Sequence, residues 1–190
     1  MPLMRRAALV LLASLGTVAL VGCVPEVAVV TNLPATTATA ESFPREEEAL
    51  SAANLAISGY YRTADTILNE NGEGGDRLAQ FATEQLVNVE ATGFQKLREK
   101  NLDYSGWSVV ESVALQSFES NASFQEGVVV AYVCIDMSQV SISYPDGTSF
   151  IPPERPDRYP LEVVFDLAPK EPGVLLVSAI SDWEGAGVCL

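Results

Sequence analysis

The stretch PREEEALSAANLAISGYYRTADTILN, residues 44–69, decides how the rest of this chain is read. Its apolar side chains recur at Leu50, Ala53, Ile57, Tyr60, Ala64, Ile67 and Leu68, a spacing that lines one face of a helix. Pro44 suits a first helical turn, and Glu46, Glu47 and Glu48 complement the positive end of the helix dipole. The pattern predicts one amphipathic helix over 44–69. NENGEGGD, residues 69–76, ends it. Asp76 is expected to cap a short helix reaching about Phe81. Thr83 is expected to cap a third, with Leu86, Val89, Gly93, Phe94 and Leu97 on one face and an end near Asn101.

Beyond residue 102 the period becomes two. Trp107, Val109, Val113 and Leu115 alternate with more polar residues in a predicted strand over 104–118, and SNAS turns the chain. GVVVAYVCIDM, 127–137, is apolar on both faces, as a central strand is. Val140, Ile142 and Tyr144 alternate with serines before the turn signal Pro145-Asp146-Gly147. IPPERPDRYP, 151–160, reads as a loop. Leu161, Val163, Phe165 and Leu167 form the next strand, and a last strand covers about 173–183. Helices first and consecutive antiparallel strands afterwards give an α+β class, with N-terminal helices packed on a curved antiparallel sheet.

The other end of the argument is the N-terminus. Arg5 and Arg6 precede AALVLLASLGTVALVG, an apolar stretch too short for a comfortable membrane span. Leu20-Val21-Gly22-Cys23 follows, in the form of a bacterial lipobox. The reading is a lipoprotein signal peptide over 1–22 and a lipidated Cys23, with 23–43 as lipidated cysteine and flexible tether and 44–190 as one domain. Diacylglycerol and further acyl chains on Cys23 would hold the protein on the extracytoplasmic face of the cell membrane, because each buried methylene contributes about 0.8 kcal/mol. The general secretion route is expected; Ala7 and Ala8 fit a twin-arginine signal poorly.

The chain has 11 Lys and Arg against 25 Asp and Glu, a formal charge of −14 over 190 residues. Loss of residues 1–22 removes two arginines and no acid, so the mature chain carries −16. Such a field opposes nucleic acid. With Cys23 acylated, Cys134 and Cys189 are an even pair in an oxidising compartment and are expected to form a disulfide.

The long first helix with Tyr60 and Tyr61, DRLAQFAT at 76–83, FQKLREKNLDYSG at 94–106, AYVCIDMS at 131–138 and the near-terminal Cys189 together resemble a group of small actinobacterial lipoproteins with a nuclear transport factor 2-like, or cystatin-like, domain. The resemblance covers about 44–190. It implies a cone of helices and antiparallel sheet, a fold that hosts isomerases, dehydratases and binding or assembly domains. It also implies a pocket for a small apolar ligand or an envelope protein partner, and leaves homodimerisation open.

The chemistry is sparse. Histidine is absent, which removes serine triads, Cys-His proteases and most zinc sites. A carboxylate base with a tyrosine oxyanion donor survives that cut. Asp136, on the strand face it shares with Tyr132 and Cys134, is the local candidate, with Tyr60 or Tyr61 as the donor. Asn69, Glu70, Asn71, Glu73 and Asp76 crowd one loop, but their spacing is not that of a calcium loop, so no metal and no cofactor is expected. Asn121-Ala122-Ser123 has the form of a glycosylation acceptor but carries no weight in a bacterial chain. Trp107 and Trp183 read as core or rim packing. The expectation is a membrane-anchored domain that binds or scaffolds without catalysis; an isomerase- or hydratase-like enzyme using Asp136 is the alternative.

Overall fold

The computed structural model describes residues 43, 45–120 and 127–189. The signal segment, Cys23, the tether through residue 42, Pro44 and Asn121 lie outside the described residues, whereas Phe43 at the tether's end is buried in the core.

Helix α1 spans Glu46–Asn69, with Glu46, Glu47 and Glu48 in its first turn. It buries Ala49, Ala53, Ala56, Ile57, Tyr60, Ala64, Asp65 and Ile67. Four of these are alanines, which let the helix approach its neighbours closely. The helix ends where Asn71 and Gly72 take positive φ and the Gly72 N–H donates to the Ile67 carbonyl at 2.7 Å. A short 3-10 helix follows over Gly75–Gln80. Its N-cap is Gly74 in the left-handed conformation, and Asp76 sits in the first turn instead of capping it.

Helix α2 spans Glu84–Glu99, and Thr83 caps it by accepting from the Leu86 N–H at 3.5 Å. Its buried residues are Leu86, Phe94 and Leu97. The face differs from the predicted one. Val89 is 61% exposed, and Glu90, one turn after Leu86, turns inward to meet Tyr60. A polar partner on α1 outweighed the apolar pattern there.

The strands are β1 (Asp103–Ser105), β2 (Val109–Phe118), β3 (Val129–Asp136), β4 (Ser141–Ser143), β5 (Arg158–Leu167) and β6 (Leu175–Asp182). All pairings between them are antiparallel: a four-stranded sheet in the order β2-β3-β5-β6, and a two-stranded one of β1 and β4. The class is therefore α+β. The strand expected over 104–118 is two strands. Gly106 breaks it with φ of 100°, and a Cβ there would lie 1.9 Å from the Gln139 carbonyl oxygen. Strand β5 begins at Arg158, inside the expected loop, and contains Pro160. The sheet accepts this proline because the last β6 pairing is Leu161 with Asp182, so β5 has no ladder partner on that side at Pro160.

Pairing registers divide the sheet into two faces. Val129, Ala131, Val133 and Ile135 of β3 lie opposite Phe165, Val163, Leu161 and Tyr159 of β5, and this inner face packs on α1. Val110, Val113, Leu115 and Phe118 of β2 join it. Val130, Tyr132, Cys134 and Asp136 belong to the outer face, opposite Val164, Glu162, Pro160 and Arg158.

The two edges differ. Residues 81–83 cover β6, with the Thr83 N–H donating to the Val177 carbonyl at 2.9 Å and the Val177 N–H to the Phe81 carbonyl at 2.8 Å. On the far side of β2 no strand pairs among the described residues.

The chain after β6 crosses the outer face. The Trp183 N–H donates to the Pro160 carbonyl at 2.9 Å, and the Trp183 ring lies on Tyr132 with centroids 4.5 Å apart. The Ser112 hydroxyl donates to the Val188 carbonyl at 3.4 Å. Cys134 and Cys189 meet at disulfide distance, 2.01 Å between sulfurs, as the cysteine count led us to expect.

Candidate functional surfaces

Buried polar chemistry centres on Asp65, which is 2% exposed. Its helical position, beside Ala64 and two before Ile67, points it inward. The Tyr104 hydroxyl donates to Oδ1 at 2.5 Å, the Ser108 hydroxyl to Oδ1 at 3.1 Å and the Ser108 backbone N–H to Oδ2 at 2.6 Å. One turn on, the Asn69 amide donates to the carbonyls of Asp65 and Gly106 at 2.8 and 2.9 Å. These bonds hold the Gly106 break against α1 and so set where β1 stops and β2 starts. Burial, and then the bond to Asp65, raises the Tyr104 pKa well above its ordinary value. Asp65 was missed in the sequence. The available signal was an acid on the apolar stripe of a helix.

Tyr60 is buried and donates to Glu90 Oε1 at 2.7 Å, with the Tyr61 ring edge-on at 5.3 Å. Burial is the main cause that raises both tyrosines above their usual range, and the Glu90 carboxylate adds to it. Both hydroxyls therefore stay protonated at neutral pH.

The sequence candidates do not assemble into one site. Asp136 sits at the end of β3 on the outer face and accepts from the Ser138 N–H at 2.7 Å, which holds its carboxyl below its ordinary pKa. Tyr132 shares that face but lies against Trp183. Tyr60 and Tyr61 belong to α1, on the other side of the sheet. Strand alternation is the reason: even-numbered residues of β3 face away from the helix. In the loop after α1, Glu70 pairs with Arg77 at 2.5 Å, and the Asn69 amide is occupied as described. Among the described residues no three ligating side chains converge on a metal position.

Open surface lies outside the core. A groove of about 1100 Å³ runs between α2 and β6, lined by Asn88, Val89 and Thr92 on the helix and Leu176, Ser178 and Ala179 on the strand. Two smaller hollows, about 220 and 390 Å³, share Arg62, Ser108 and Val109. Trp107 lines the second and is 51% exposed, so it is a surface residue and not a core one.

No family model and no curated protein matches this chain. Among solved structures, the intermembrane-space region of the chloroplast protein ARC6 is similar at a TM-score of 0.49 and 9% identity, over 70% of this chain and 95% of that one.

Proposed function

We propose that this protein is a lipoprotein, anchored through Cys23 to the extracytoplasmic face of a bacterial membrane, whose domain binds a partner and does no chemistry. The α+β arrangement is assigned to the nuclear transport factor 2-like cone, in keeping with the resemblance drawn from the sequence and with a long first helix lying on an antiparallel sheet. The observation that supports a binding role most is the division of the molecule into a closed interior and an open exterior. Between α1 and the sheet, Ile57, Tyr60, Ile67, Val133, Val163, Phe165 and Val177 fill the space. The polar groups there, Asp65 and the Tyr60–Glu90 pair, are bonded to partners within the chain. The α2/β6 groove, by contrast, is large and open, and it mixes aliphatic and neutral polar groups with two carboxylates, Glu84 and Asp166.

The test uses the chain from its native membrane fraction. A photo-crosslinking residue at Asn88, in the groove, is expected to yield a discrete adduct, and one at Gln80, outside the lining, is not. Intact mass is expected to show a mature chain starting at an acylated Cys23. Equal labelling from both positions removes the binding reading, and a mature N-terminus elsewhere without fatty acid removes the anchor.

A further inference from the structure

The edge of β2, which no strand pairs on its far side among the described residues, and the flank of α1 beside it form a surface the groove above does not include. Along that flank Leu55, Ser58, Arg62 and Thr66 recur at helical spacing, and Leu55 is 71% exposed. Ser58, Tyr61 and Arg62 face Ser108, Val109 and Val110 across the smaller hollow. Arg62, Thr66, Trp107 and Val109 line the larger one, where Val109 is 53% exposed. Two large apolar side chains, a tyrosine and an arginine thus gather where β2 begins. Trp, Tyr and Arg are the residue types that dominate binding energy at interfaces.

We infer that this edge takes an extended peptide segment of a partner protein, added as a further strand, with a carboxylate of that segment on Arg62 and an apolar side chain against Trp107 and Val109. It rests on the reading of the domain as a binding module and adds the place and the kind of partner. Three observations carry it. The first is the edge itself. β6 is covered by residues 81–83, whereas β2 has no strand on its far side among the described residues, so alternate backbone N–H and C=O groups face outward. The second is charge. In a chain of formal charge −14, the Arg62 guanidinium has neither an ion pair nor a hydrogen bond among the described residues, unlike the guanidinium groups of Arg45, Arg77, Arg98, Arg155 and Arg158. A guanidinium in that setting favours a carboxylate, which it can hold by two parallel bonds. A second copy of this chain would bring its own net negative charge to the same place. The third is length. The β2–β3 register shifts between Val110 and Ser112 and again between Leu115 and Ser117, so β2 has one irregularity between Val109 and Leu115. A segment lying along Val109–Leu115 passes that one irregularity and covers about seven residues, roughly 23 Å at strand rise.

The probe is a displayed library of random heptapeptides, selected on the full-length chain in detergent and counter-selected on the R62Q/W107A double variant. Both side chains are exposed, so folding is checked by the Cys134–Cys189 bond and an unchanged unfolding midpoint. Enriched peptides are expected to alternate apolar residues around one Asp or Glu, to bind at least tenfold more weakly to R62Q, and to lose binding when alternate backbone amides are N-methylated. Hydrogen exchange is expected to slow over 109–115 in the complex. Selection of peptides that bind the double variant equally, protection at α2 and β6 instead, a self-paired dimer occupying the edge, or no enrichment would each overturn the proposal. The crosslink from Asn88 survives all four results if the binding module itself is right.

Discussion

Asp65→Ala is the most direct test of how this fold is held. The carboxylate is 2% exposed and accepts three hydrogen bonds, two of them at 2.5 and 2.6 Å. Bonds to an ionised acceptor contribute about 1.5–3 kcal/mol each. The longer Ser108 hydroxyl bond is the weakest of the three, and Tyr104 and Ser108 are half-buried, so water recovers part of what is lost. Counting the two short bonds near the low end gives about 3–4 kcal/mol. With a urea m-value of about 2 kcal/mol/M, the unfolding midpoint falls by roughly 1.5–2 M. Tyr104→Phe removes one of those bonds and leaves Asp65 the two from Ser108, so it is expected to cost about 1.5 kcal/mol in the wild-type background. In the Asp65→Ala background the same change is expected to cost under about 0.5 kcal/mol, because its partner is gone. The assay is urea unfolding followed by circular dichroism on all four proteins. A loss below about 1 kcal/mol for Asp65→Ala, or additive single changes, would refute the claim that this carboxylate pins β1 and β2 to α1.

Alkali is expected to unfold the protein. Tyr60 has a folded-state pKa above its unfolded value near 10, so its contribution is complete below pH 10 and is lost as pH rises beyond it, by about 1.4 kcal/mol per unit; absorbance at 295 nm should show Tyr60, Tyr61 and Tyr104 ionising only with unfolding, and early titration of all six tyrosines would contradict this. Reduction of the Cys134–Cys189 bond, which closes a separation of 55 residues, should add two daltons and lower stability by about 4 kcal/mol in the chain-entropy model; an unchanged midpoint would show that the link does not constrain the unfolded chain. Gly106→Ala places a Cβ against the Gln139 carbonyl at a φ of 100°. It should cost about 2 kcal/mol or more and speed exchange in β1 and β4, and a midpoint within 0.2 M of wild type in the urea assay would mean the chain relaxes there freely.

Much of the architecture is written in local periodicity. The stripe of α1, the Thr83 cap, the doubly apolar β3 and the pairing of Cys134 with Cys189 each follow from spacing, capping chemistry or a count of thiols. The positions where that reading slipped are those where one distant partner overrides the local pattern. Glu90 displaces Val89 from the inner face of α2 because the Tyr60 hydroxyl, 30 residues away, needs an acceptor. The break at Gly106 follows from Asp65 and Asn69 on a helix about 40 residues earlier. Pro160 enters a strand because β6 stops one residue short of it.

The candidate site was legible only in its parts. Residue types along the chain named Asp136, Tyr132, Tyr60 and Tyr61, and strand alternation alone placed Asp136 and Tyr132 on one face. Which face α1 would cover is a long-range matter, settled by the side on which the apolar residues of four strands and a helix are buried together, and it put Asp136 and Tyr132 on one side and Tyr60 and Tyr61 on the other. The same packing gave β6 a cover and, among the described residues, left β2 with no strand on its far side. The doubly apolar β3 announces a central place, but β2 and β6 are both edge strands, and what lies beside each is set by distant parts of the chain, so no periodicity separates the covered edge from the other.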